Sequence, residues 1–166
     1  MTKLLRYYSL LFFTIFSVGC SNYDFTVNDR VVYTPEPLFS DFSVADSALR
    51  ACLNEAINDQ KATAASDLSS LSCVQAGVES LAGLSTFTEL QSLTLSSNNI
   101  VDISPLAALT ILQFAYLDNN KIIDAVPLYD LPALQLVDLT ANPHLLCPDT
   151  GSLLRVDDVR LPKHCR

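Results

Sequence analysis

The chain has 166 residues, with 18 acidic and 10 basic side chains, 5 Cys, 4 Gly and no Trp. That length fits one modest domain with appendages and leaves no room for two cores. The net charge of −8, with basic residues that nowhere form a run, excludes a nucleic-acid partner, because phosphate binding needs clustered Lys and Arg.

The first expected element is an export signal over residues 1–19. Lys3 and Arg6 supply its charge, and residues 7–18 are apolar apart from Ser9, Thr14 and Ser17. Twelve residues at ~1.5 Å each cover ~18 Å of a ~30 Å hydrocarbon layer, a signal-peptide length and not a membrane span. A buried amphipathic helix is the alternative, but the segment has no polar face. Its removal would take the net charge from −8 to −10, since it carries two bases and no acid.

The stretch Ser17-Val18-Gly19-Cys20 resembles the bacterial lipobox, which implies cleavage before Cys20 and a membrane anchor of several acyl chains on that residue. Each buried methylene would add ~0.8 kcal/mol of membrane affinity. The pattern usually has Leu where Ser17 stands, and Ser17 with Gly19 also suits ordinary signal peptidase, which would leave Cys20 a free thiol. Parity favours lipid, because Cys52, Cys73, Cys147 and Cys165 can pair among themselves and leave Cys20 odd. The expected location is therefore the cell envelope. In Gram-negative lipoproteins, resemblance implies that Ser21, in place of Asp, permits outer-membrane sorting.

Residues 20–41 are expected as the lipidated N-terminus and a flexible tether, with Pro35 and Pro37 and no sustained pattern. An edge strand at Arg30–Tyr33 is the one regular element this stretch suggests. Residues 42–67 are expected as a helical cap. Asp46 stands as its N-cap, and Leu49, Cys52, Leu53, Ala56 and Ile57 follow the spacing of one helix face, with Arg50, Asn54, Glu55 and Asn58 outside.

A repeat organises residues 68–146. From Leu90, apolar residues fall at Leu93, Leu95, Ile100, Ile103, Leu106 and Leu109, with Asn98 among them. A shift of 22 gives Leu112, Ala115, Leu117, Ile122, Ala125, Leu128 and Leu131, with Asn120 in the Asn position. A second shift gives Leu134, Val137, Leu139 and Asn142, and the reverse shift gives Leu68, Leu71, Cys73, Val78, Leu81, Leu84 and Phe87, with Ala76 replacing Asn. This pattern resembles the 22-residue leucine-rich repeat of bacterial internalins and SDS22-like proteins, over roughly residue 42 to the C-terminus. It implies an α/β fold, a short leucine-rich-repeat solenoid with a parallel sheet on its concave face, an N-terminal helical cap and an irregular C-terminal cap over residues 147–166.

The residue types follow from the physics of such a coil. Leu93-Thr94-Leu95 alternates in, out, in, as a short strand must. Asn can bond the backbone where the chain leaves the strand, and Pro105 and Pro127 suit the opening of a helical turn. A single coil cannot offset its own ordering entropy, so coils must stack and the open ends need caps.

Within that solenoid Cys52 on the cap helix and Cys73 in the first strand should be neighbours, and a bond between them is expected; small buried hydrophobes are the alternative. Cys147 and Cys165 would then close a C-terminal loop, worth roughly 3 kcal/mol in the chain-entropy model. No CxxC spacing exists and His144 and His164 are the only imidazoles, so no metal and no cofactor is expected. Catalytic signatures are also missing, with no GxSxG, HExxH or Gly-rich phosphate loop, which points away from an enzyme.

Leucine-rich repeats usually bind partners on the concave sheet, so the resemblance implies a protein partner there. The outward positions would be Ser70, Ser72 and Val74, then Ser92, Thr94 and Ser96, then Phe114, Tyr116 and Asp118, then Leu136, Asp138 and Thr140. Phe114 beside Leu136, with Tyr116 and an acidic rim of Asp118 and Asp138, suits a hot spot for a basic or amphipathic partner. The alternative is that the C-terminal tail covers Phe114 and Leu136 for stability alone. Two functions follow: a membrane-anchored protein-binding module, or a structural or assembly envelope lipoprotein in which the solenoid is a stable spacer.

Overall fold

The computed structural model describes residues 25–27, 30–33, 36–149 and 151–165, so the expected signal peptide and Cys20 lie outside it. The chain divides into two units, Met1–Glu36 and Pro37–Arg166. In the first, β1 (Phe25–Val27) pairs antiparallel with β2 (Arg30–Tyr33), setting Val27 opposite Arg30 and Phe25 opposite Tyr33. The stretch expected as a tether thus contains a hairpin, of which the sequence suggested only the second strand. Thr26, Val27, Val31 and Val32 are β-branched, which favours extended chain, but runs this short show no alternation.

The second unit begins with α1 (Ser47–Gln60) and continues through β3 (Ser70–Ser72), β4 (Ser92–Thr94), β5 (Phe114–Tyr116), β6 (Leu136–Asp138) and β7 (Asp158–Arg160). The five strands form one parallel sheet in chain order, each paired with the strand 22 residues on: Leu71 with Leu93, Leu93 with Ala115, Ala115 with Val137 and Val137 with Val159. Return segments carry 3₁₀ turns at Leu84–Thr86, Ser104–Ala108 and Val126–Leu128, the last two opened by Pro105 and Pro127. Every inward position read from the repeat between Leu68 and Leu139 is at most 4% exposed. Successive coils therefore share one continuous apolar interior, which no single coil could enclose.

The N-terminal end of this interior is closed by α1, which turns Leu49, Leu53 and Ile57 inward. Asp46 caps the helix as expected, its Oδ1 accepting the N–H groups of Ala48 and Leu49, both at 2.9 Å. The cap starts earlier than residue 42. The Phe39 N–H donates to the Ala62 carbonyl at 2.9 Å, and the rings of Phe39 and Phe42 pack edge-on against Phe87, with centroids 6.1 and 5.5 Å away. Aromatic burial holds this segment, and no periodic pattern announces it.

The C-terminal cap is more regular than expected, because β7 adds a fifth strand. Val156, Val159 and Leu161 stand 22 residues after Leu134, Val137 and Leu139, and all three pack against the core. Cys147 and Cys165 are disulfide-bonded across this cap, with Cα atoms 5.2 Å apart. The bond expected between Cys52 and Cys73 is not formed: both are free thiols. Burial, and after it the neighbouring Cys52 thiol, pushes the Cys73 thiol up. The placement that brought them together was correct, and the pair stands reduced.

Candidate functional site

The concave face is positioned by two ladders. The first is conformational: Gln75, Ser97, Asn119 and Ala141, one per coil, take left-handed backbone with φ of 53°, 61°, 53° and 57°. This turns each chain out of its strand at the same point. The second ladder is the buried Asn98, Asn120 and Asn142. The Asn120 side-chain N–H₂ donates to the carbonyls of Leu117 in its own coil and Leu95 in the coil before, at 3.1 and 2.9 Å, and its Oδ1 accepts the Ile100 N–H at 3.1 Å. Asn142 repeats this with Leu139, Leu117 and Ile122. Asn98 compensates for Ala76 by accepting the N–H groups of Ala76, Gly77 and Val78 on one oxygen. Backbone groups that would be buried unpaired at the turns are thereby satisfied, and the strands are held in register.

Held this way, the outward residues form rows across the sheet. Ser92, Phe114, Leu136 and Asp158 make one, and Thr94, Tyr116, Asp138 and Arg160 the next, each residue the register partner of its neighbour. Phe114, Tyr116 and Leu136 are half-buried, neither covered nor free of neighbours. The C-terminal tail lies beside β6 as β7, so it extends the sheet at its edge. On the N-terminal side the face carries the exposed Ser70 and Ser72, with Val74 50% exposed beyond them.

The acidic rim is altered by β7. Arg160 Nη1 lies 3.5 Å from an Asp138 carboxylate oxygen, and Nη2 lies 2.6 Å from Asp158. Hydrogen bonding to Asp158, with the charges of Asp158 and Asp138, holds the Arg160 guanidinium above its usual pKa. Asp138 also accepts the N–H and hydroxyl of Thr140, and Asp118 accepts the Ser96 hydroxyl at 2.5 Å. The expected acidic rim is thus a hydrogen-bonded line in which Asp138 is paired with Arg160. Arg160 escaped the sequence reading because the repeat was ended at Asn142; carrying the shift of 22 once more from Asp138 lands on it.

The one grouping of three metal-capable Cys, His or acidic side chains among the described residues is Cys147, His164 and Cys165, whose ligand atoms lie within 4.8 Å of one another. Both sulfurs are committed to the disulfide, which removes the thiolates a cation would need. His164 Nε2 instead lies 3.0 Å from the Leu145 carbonyl.

No protein-family model matches the chain, and no curated protein matches it. Among solved structures, an internalin (inlF) from Listeria monocytogenes superposes with a TM-score of 0.59 at 24% identity, over 72% of this chain and 37% of that one. Internalin C2 from the same organism gives 0.30 at 19% identity, over 70% of this chain and 93% of that one. The functional domain of InlJ, described as including a cysteine ladder, gives 0.34 at 18% identity, over 58% and 30%. This chain thus spans little more than a third of the inlF structure, and the likeness is one of fold. With its parallel sheet and helical cap, the second unit has the fold of a short α/β leucine-rich-repeat solenoid.

Proposed function

We propose that the solenoid is a protein-binding module whose contact surface is the middle of the concave sheet, centred on Phe114, Tyr116 and Leu136. One observation carries the reading: a Phe, a Tyr and a Leu from two adjacent coils stand in register and half-exposed on a face that repeat packing did not require to be apolar. Large rigid side chains grouped within reach of charged groups are what interface hot spots use. Asp118 at one flank and the Asp138–Arg160 pair at the other would orient a polar or basic partner segment. Among the described residues no catalytic constellation supports an enzyme reading, and the proposed activity is recognition.

The anchor belongs to the same proposal and rests on the sequence. Lys3, Arg6, the apolar run of residues 7–18 and the Ser17-Val18-Gly19-Cys20 stretch support an exported protein held in the envelope by lipid on Cys20, with Ser21 favouring the outer membrane of a Gram-negative source. Intact mass of the mature protein tests it: acyl chains on Cys20 support the anchor, and an unmodified Cys20 overturns it. For the binding face, co-purification from source cells with the protein and with its Phe114→Ala/Tyr116→Ala variant, followed by direct titration of the protein so identified, is decisive. The variant should weaken binding by at least tenfold, about 1.4 kcal/mol. Unchanged affinity in a folded variant removes the concave face from the proposal.

A further inference from the structure

We propose that β7 is the seam of a symmetric dimer, in which two copies of this chain pair their edge strands antiparallel about Val159. This inference does not depend on the binding role of the concave face.

β7 is the last strand of the sheet. The Asp158 N–H donates to the Gln135 carbonyl at 3.0 Å, and the Arg160 carbonyl accepts the Leu139 N–H at 2.8 Å, so both residues direct backbone groups toward β6. Strand alternation then turns the N–H and C=O of Val159 to the open edge. A second copy related by a two-fold axis through this point makes Val159 and its counterpart a hydrogen-bonded pair. Asp158 of each copy then lies opposite Arg160 of the other, on the same face of the sheet. The order Asp-Val-Arg is therefore complementary to itself when antiparallel, whereas a parallel partner in register would set like charges together. That charge pattern selects a second copy as the occupant. Both side chains are partly exposed, at 45% and 46%, and the pair they form within one copy can be exchanged for the pair across the seam.

The end of the core agrees with this. Leu154 is 80% exposed, and Leu153, Leu154, Val156, Val159 and Leu161 line an open cleft of about 310 Å³ at the last coil. At the other end α1 turns three apolar side chains inward as a lid, and among the described residues no α-helix follows β7. An exposed parallel edge invites uncontrolled pairing. The two-fold seam closes that edge, and it joins two five-stranded sheets into one surface with both concave faces on the same side.

Sedimentation velocity of the purified protein over a concentration series tests the seam, with circular dichroism as the check on folding. The protein should show a monomer–dimer equilibrium. Asp158→Arg places Arg opposite Arg, and Arg160→Asp places Asp opposite Asp, each twice per seam, so either should weaken association roughly tenfold. An equimolar mixture of the two should recover the dimer, because the acquired charges then face opposites. The doubly swapped variant, Asp158→Arg/Arg160→Asp, should dimerise alone and covers the case in which a single variant fails to fold. A protein that stays monomeric at every concentration, folded single variants that associate as tightly as the parent, or a folded double swap that stays monomeric would each overturn the proposal.

Discussion

The Asp46 carboxylate accepts the backbone N–H of Glu79 at 2.8 Å, across 33 residues of chain. Its second oxygen caps α1 through Ala48 and Leu49, while the first also takes the Ser80 N–H at 3.0 Å. One side chain thereby starts the cap helix and fastens it to the first coil. Partial burial works to raise its pKa, but the four backbone N–H groups outweigh this and hold it below the ordinary 3.8.

Asp46→Ala should lower stability by about 2 kcal/mol in urea unfolding, since it removes a helix cap and two charge-assisted bonds between segments. The contribution is present above the ordinary carboxylate pKa and is lost as pH falls through the lower folded value. The gap between the parent and Asp46→Asn should therefore close in acid below about pH 4. A gap independent of pH would mean that the charge is immaterial.

Gly83 and Gly77 separate contact from backbone strain. Both have positive φ, +95° and +81°, but a Cβ on Gly83 would lie 2.2 Å from the Ser43 carbonyl, whereas one on Gly77 meets nothing within 4 Å. Gly77→Ala should cost about 1–2 kcal/mol, the left-handed penalty alone. Gly83→Ala should cost clearly more, because it drives residues 43 and 44 off the first coil. Equal costs in parallel denaturation curves would show that the segment yields freely.

Asn120 donates to two coils and accepts from one of them. Asn120→Ala should cost roughly 2–4 kcal/mol by orphaning buried backbone groups. Asn120→Asp should not rescue it, because a carboxylate cannot donate to the Leu95 and Leu117 carbonyls. Urea midpoints for both variants check this, and a stable Asp variant would refute the donor role.

Cys52 and Cys73 should close a disulfide when the folded protein is treated with oxidised glutathione, which takes up the two electrons. The expected readout is a mass loss of two hydrogens and a peptide linking the two residues, with the circular dichroism spectrum unchanged. The raised pKa of Cys73 makes it a poor thiolate, so attack should begin at Cys52, and Cys52→Ala should leave Cys73 unlabelled by iodoacetamide until the protein is unfolded. Rapid labelling of Cys73 in the folded variant would contradict its burial.

Apolar chemistry repeating every 22 residues specified strands β3 to β6, their inward faces and the Asn ladder, and the spacing of one helix face after Asp46 specified the cap, because burial selects side-chain type position by position. Phe114, Tyr116, Asp118, Leu136 and Asp138 were legible on the concave face for the same reason: alternation leaves them outward once the inward set is known. What only the tertiary structure decided was how separate segments meet. The fifth strand keeps the period of 22, but the irregular stretch after Asn142 separates it from the repeats, and only its pairing with β6 makes Arg160 a neighbour of Asp138. The second attachment of Asp46 and the docking of Phe39 and Phe42 on Phe87 leave no period behind, because a single polar or aromatic contact needs one correctly placed partner and no recurring residue type.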